Sequence, residues 1–200
     1  MTVSVLRRPI FSNDYGQGHP WVPVDRPMET YNNSKEWLKQ SNAASSLIKF
    51  LENDDLSIHI LISTTASMPN KFWIPDEVQL LQYDPFISFG PNDVLVTWNP
   101  ETAWKVHALK KDRPIGRHTD KNNKNKFQQD VRAEIVMIHE FGHARQWLLK
   151  HDWYYTKWKA AVAGDNQANL DIEHDNLLTV ESVVAKETGQ GVRWVYANNC

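Results

Sequence analysis

The sequence predicts an α+β domain in which a small sheet packs against one apolar helix and the C-terminal half is helical. Three observations carry that reading. Between Ser57 and Thr64, Ile58, Ile60 and Ile62 alternate with His59 and Leu61, the period of a strand. From Val131 to Leu148 the apolar residues recur at helical spacing. All ten prolines lie at or before Pro114, so the chain breakers stop about half-way along. At 200 residues the chain is expected to form one domain over 1–200.

Residues 1–30 read as an irregular arm, broken at Gly16, Gly18, Pro20, Pro23 and Pro27 and pinned to the body by Trp21 and Val22. Asn33 or Ser34 can cap a helix running to about Glu52, with Trp37, Leu38, Leu47, Ile48 and Leu51 on its buried face. The strand at 57–64 follows. A lone histidine on a strand, here His59, is expected to be exposed. Residues 65–91 are mixed, with Trp73-Ile74-Pro75 and Gln79 to Tyr83 as short extended pieces. Asp93 to Trp98 is a second strand, stopped by Asn99-Pro100.

Lys105 to Lys126 shifts in composition. Eight basic residues against two acidic ones make it +6, so the remainder of a chain with formal charge −2 stands at −8. The segment reads as a basic loop, either simply solvated or docking an acidic partner. Beyond the helix at 131–148, Asp152 to Ala163 is a short helix ended by Gly164-Asp165-Asn166. A last helix runs from about Ile172 or Glu173 to Thr188, with Gly189 in the C-cap position. Val192 to Tyr196 lead out from it.

Composition excludes several classes. A net charge of −2 argues against general nucleic-acid binding, and 105–126 lacks the interleaved aromatics of a single-strand binder. Cys200 is the one cysteine, so no intramolecular disulfide forms. No apolar run approaches the ~20 residues of a membrane span. Met1 to Asn13 has two arginines but no apolar signal core. The expectation is a monomer made in the cytoplasm, without a cleaved signal, that can leave through a dedicated machine.

The chemistry lies in Val136-Met137-Ile138-His139-Glu140-Phe141-Gly142-His143-Ala144, a His-Glu-x-x-His motif. Residues four apart stand one above the other on a helix, so His139 and His143 can hold one Zn²⁺. Glu140 sits about 100° further round and can act on a water as general base. Two nitrogen ligands, an adjacent base and an open position are what a zinc hydrolase needs. On this reading one apolar side of the helix is buried, and both histidines border it and face a cleft. Gly142 is expected to admit another backbone close to the packed side.

A third protein ligand is needed. The position six residues beyond His143 is Leu149, which excludes the three-histidine metzincin pattern, and His151 lies two turns on along the same helix. The remaining donors are Asp171, Glu173, His174, Asp175, Glu181 and Glu187. Glu181 is the first choice, 38 residues past His143 and able to return on an antiparallel helix in the gluzincin manner; Glu173 and His174 stand behind it. The domain would then be a minimal zincin-like one. The edge of the Asp93–Trp98 strand is the candidate for holding substrate backbone by strand addition.

The segment from Glu181 to Tyr196 resembles the C-terminal block of the NleD-like effector metallopeptidases, which pair His-Glu-x-x-His with a later Glu-Asn, then Glu-x-Gly, Arg and Tyr. His139, Glu140 and His143 match the zinc helix, and Trp98-Asn99-Pro100 matches a strand end. Glu181, Glu187, Gly189, Arg193 and Tyr196 match the later block, while Ser182 stands where the family has asparagine. The resemblance implies a zinc endopeptidase, an effector or toxin delivered into a target cell; known members cut signalling kinases. Tyr196 and Arg193 are the candidate oxyanion donors beside the metal. Two rival classes stand beside this reading. One is a zinc hydrolase with a non-peptide substrate, and the other is a non-enzymatic protein that docks an acidic partner through 105–126.

Overall fold

The computed structural model describes residues 3–8, 10–11, 20–53, 56–83, 89–102, 104–109 and 126–192. In chain order the first half holds β1 (Val3–Val5), β2 (Ile10–Phe11), α1 (Pro27–Leu38), α2 (Asn42–Asn53), β3 (Ile58–Ile62) and β4 (Lys71–Trp73). It continues with α3 (Pro75–Val78), β5 (Gln82–Tyr83), β6 (Val94–Trp98), β7 (Trp104–Leu109) and β8 (Lys126–Val131). The second half holds α4 (Ala133–Leu149), α5 (His151–Val162), α6 (Asn166–Asn176), a π-turn (Leu177–Glu181) and α7 (Ser182–Glu187). The class is α+β, as the sequence predicts.

The main sheet has the order β1-β3-β6-β4. β1, β3 and β6 run parallel, and β4 runs antiparallel to β6. Strand alternation sends the two faces into separate cores. Ile58, Ile60, Ile62, Val94 and Val96 pack toward the helices, whereas Leu61 and Leu95 pack with Ile10, Trp21 and Trp73 on the other side. The arm is therefore not irregular throughout. β1 extends the sheet in register, Val5 opposite Ile60, and Trp21 bridges to Ile10 and is fully buried.

His59 is not exposed either. Its Nδ1 lies 2.6 Å from Ser4 Oγ and its Nε2 2.7 Å from Asp93 Oδ2, which also accepts the Gly90 N–H at 2.8 Å. The imidazole thus ties the edge strand β1 to the turn before β6. The edge expected to hold substrate also moves. β6 is central, paired with β3 through Ile60↔Val96 and with β4 through Phe72↔Val96, so Asp93–Trp98 has no free edge. Among the described residues the three-residue β4 is the edge on that side of the sheet, opposite β1.

The first helix begins at Pro27, six or more residues before the expected cap, because proline at N1 is preset for helical φ. It stops at Leu38, and α2 restarts behind Ser41, whose Oγ accepts the Ala44 N–H at 3.0 Å. Glu187 closes the same end from across the fold, accepting from Ser41 Oγ at 2.5 Å and from Ala43 N at 3.0 Å. The basic segment is not a loop at its ends: Lys105 pairs with Asp130 and Leu109 with Lys126 across β7 and β8. Residues 110–125 lie outside the described residues.

α4 carries the centre of the molecule. Every residue from Ile135 to Ala144 is buried, so the helix is not the half-exposed amphipathic one expected. The reason is coverage on both sides, by β4 and β6 on one and by α2, α6 and the π-turn on the other. The Trp98 indole donates to Ala133 O at 2.7 Å and fixes where α4 leaves the sheet. Gly164, with φ +99°, ends α5, and Asp165 caps α6 by accepting from Gln167 N and Ala168 N. The last helical run thus starts earlier than Ile172. It closes as expected at Gly189, with φ +69° and Gln190 N bonded to Ala185 O at 2.8 Å. No helix among the described residues is long and apolar enough to cross a membrane.

Candidate metal centre

The i,i+4 spacing on α4 brings the His139 and His143 Nε2 atoms to 3.1 Å from each other. The outer nitrogens fix this arrangement. His139 Nδ1 donates to Glu181 Oε2 at 2.8 Å, and His143 Nδ1 donates to Gln146 Oε1 at 2.8 Å. With Nδ1 carrying the hydrogen on both rings, both Nε2 lone pairs are aimed into the same space. Gln146 is itself held, donating to Ile172 O and to Asp175 Oδ2, each at 2.9 Å.

Glu173 on α6 completes the group. Its Oε2 lies 3.3 Å from His139 Nε2 and its Oε1 3.5 Å from His143 Nε2. That Oε2 is buried and has no hydrogen-bond partner among the described residues. Glu140 offers an oxygen within 4.8 Å of both imidazoles. His139, Glu140, His143 and Glu181 are 2–5% exposed. Two facing imidazole nitrogens with two buried carboxylates, Glu140 and Glu181, and the half-buried Glu173 carboxylate against both rings make a strongly acidic, donor-rich group that a cation would stabilise. The donor set therefore fits a metal ion.

The electrostatics point the same way. Burial opposes charge on His139, yet the Glu173 and Glu181 carboxylates beside it prevail and push its pKa up to about 10. Burial would likewise raise Glu173, but His143 and His139 hold it well below the usual carboxylate range. Glu140 is raised, by burial first, against the pull of both histidines. Without a metal, the place where the Nε2 atoms converge draws a proton instead.

Glu181, the first-choice ligand from the sequence, lies on the far side of His139, bonded to Nδ1 rather than beside Nε2. The π-turn explains why. Asn176 and Glu181 are five residues apart, roughly 140° out of phase on a regular helix, whereas i→i+5 bonding stacks them. Both then meet His139: Asn176 Nδ2 donates to its backbone O at 2.8 Å, and Glu181 takes its Nδ1–H. Glu173, one turn before Asn176, is left facing the Nε2 atoms. Among the other donors, His174 is exposed, Asp171 pairs with Lys157 at 2.7 Å and Glu187 caps α2. Arg193 and Tyr196 lie outside the described residues. Sequence reasoning missed Gln146, Asn176 and Tyr154; only Gln146, one helical turn after His143, carried a local signal.

The group opens into a cleft of about 760 Å³. One wall is Asn70 with Lys71 and Phe72 of β4, and Tyr154 and Trp158 on α5 also line the cleft. Gly142 sits behind it, where a Cβ would stand 1.8 Å from Asn176 Oδ1. The close neighbour is thus a side chain rather than a backbone. Gly142→Ala should displace Asn176 from the His139 carbonyl. The ~1 kcal/mol gained in helix propensity is outweighed by overpacking of about 1–3 kcal/mol or more. A urea midpoint at or above wild type would show that the pocket accepts the methyl group.

No family model, no curated protein and no solved structure matches the chain.

Proposed function

We propose that the protein is a zinc-dependent peptidase in which His139, His143 and Glu173 hold the ion and Glu140 is the general base. The observation that carries this is the convergence of the two Nε2 atoms and the Glu173 carboxylate on one point of the cleft, with Glu140 on the same helix turn. Two imidazoles and one carboxylate form a known donor set of catalytic zinc. When bound, zinc supplies Lewis acidity toward the scissile carbonyl and the attacking water. Glu140 takes the proton of that water and passes it to the leaving amine as the C–N bond breaks. Glu181 and Gln146 keep the two imidazoles in the tautomer and orientation that ligation needs.

A peptide is favoured as substrate because β4, bordering the cleft, is paired among the described residues with β6 on one side only. Its other edge can accept an extended chain by strand addition. The effector half of the reading rests on the terminal block, in which Glu181 orients a histidine and Glu187 caps α2. Delivery into a target cell is proposed from that resemblance alone.

Chelation tests the metal part. If zinc is held at a thousand times its Kd, removing it costs about 4 kcal/mol of stability, on the order of 10 °C in Tm for a domain this size. Chelator should also abolish hydrolysis of labelled casein, with zinc restoring it. A chelator-insensitive Tm together with undiminished casein cleavage would remove the metal from the account.

A further inference from the structure

On the face of the sheet turned away from α4, a second group of polar side chains shares hydrogen bonds. Alternation along β3 sends Ile58 and Ile60 toward the helices and puts His59 on the face of Leu61, beside Leu95 and Trp73. Register places Ser4 of β1 opposite His59. Ser4 Oγ lies 2.6 Å from His59 Nδ1, and His59 Nε2 lies 2.7 Å from Asp93 Oδ2. An ionised carboxylate only accepts, so Nε2 carries the ring hydrogen. The neutral imidazole then offers the Nδ1 lone pair to the Ser4 hydroxyl. Asp93 is itself fixed, accepting the Gly90 N–H at 2.8 Å, and Phe89 stands edge-on to the imidazole with ring centroids 4.6 Å apart. The His59 and Asp93 side chains are 14% and 17% exposed, and Ser4 is half-buried on the edge strand. The group is enclosed, yet its serine can be reached.

Serine, histidine and aspartate bonded in that order supply a nucleophile, its base and an orienting group. The two ring nitrogens are exchanged relative to the usual relay, with Nδ1 toward the serine, and the proton path is the same. An oxyanion donor stands next to it. The Leu6 N–H is bonded to Ile60 O at 2.8 Å, so the preceding N–H, that of Val5, is turned away from β3 toward the outer edge of β1. The geometry points to Ser4 as the nucleophile of a second, metal-independent acyl-transfer site, with His59 as its base, Asp93 as a positioning residue and small carboxylic esters as its substrates. An ester is the class indicated because its alcohol leaves more readily than an amine. Ser4 Oγ bonds to the ester carbonyl carbon, its proton passes to Nδ1, and the C=O π pair moves onto the oxygen facing the Val5 N–H. On collapse the C–O bond to the alcohol breaks, and the alcohol leaves with the proton from Nδ1. Water then adds to the acyl carbon and gives its proton to Nδ1. The second collapse releases the acid and returns that proton to Ser4.

The test uses the zinc-loaded full chain and a fluorophosphonate probe, from which the Ser4 oxygen would displace fluoride. Peptide mass mapping should find the label on Ser4, at a rate that added chelator leaves unchanged. His59→Gln keeps an acceptor for Ser4 and a donor for Asp93, so it preserves the tie between strands and removes only the base. Labelling of Ser4 should fall on the order of 10²-fold in it. No label on Ser4 in wild-type protein, or a His59→Gln rate within twofold of wild type, overturns the proposal. The ring tautomer is read without any substitution, from the ¹⁵N shifts of His59 in the wild-type chain. Hydrogen on Nε2 is expected, and hydrogen on Nδ1 overturns the proposal because Ser4 then has no base. In Asp93→Ala the preference for Nε2–H should weaken and labelling should slow at least about tenfold; an unchanged tautomer and rate overturn the role of Asp93.

Discussion

Replacing Glu140 by glutamine should leave zinc bound and lower peptide hydrolysis by at least about a hundredfold. Glu140 is 4% exposed on α4 and glutamine has nearly the same size and shape, so the side chain should stay in place. What glutamine lacks is a site for the proton of the attacking water. Because His139, His143 and Glu173 are untouched, zinc content should remain near one per chain. A variant that keeps a tenth or more of wild-type turnover takes Glu140 out of the mechanism. One that loses zinc as well makes Glu140 part of the ligand set.

The second large effect separates two glutamates. Glu173→Ala should remove the third ligand and lose zinc affinity far more severely than Glu181→Ala. The latter disturbs only the Nδ1 bond of His139, and losses of such orienting partners run to about 10–100-fold. His174→Ala should change little, since the side chain is exposed. The reverse order in a zinc titration, with Glu181→Ala the worse variant, would return Glu181 to the ligand set and displace Glu173.

What could be read in the sequence was what is local. His139 and His143 pair because four residues make one turn, and that holds wherever the helix lies. Gly189 as a helix stop and the strand at 58–62 are equally local. The identity of the third ligand was not local. It depends on the phase of the last helical run, which the π-turn at Leu177–Glu181 resets by one residue, and no simple periodicity announces such a turn.

Strand order was hidden for a different reason. β4 has three residues, too few for an alternation, and only pairing shows that it rather than β6 is the edge. The break between α1 and α2 was hidden because Ser41 caps a helix whose apolar spacing continues through it. Part of that cap is Glu187, 146 residues away in sequence. α4 read as amphipathic because its buried polar residues, His139, Glu140, His143 and Gln146, look like a solvent face until the elements covering them are known.

The central claim is that the two Nε2 atoms and Glu173 surround one zinc ion. Anomalous diffraction at the zinc edge, from crystals of the zinc-loaded protein, tests it most directly. The account predicts a single peak per chain between His139 Nε2, His143 Nε2 and the Glu173 carboxylate, with Glu181 still on Nδ1 of His139. A peak elsewhere, a zinc coordinated by Glu181, or no peak at all in zinc-saturated crystals would contradict it.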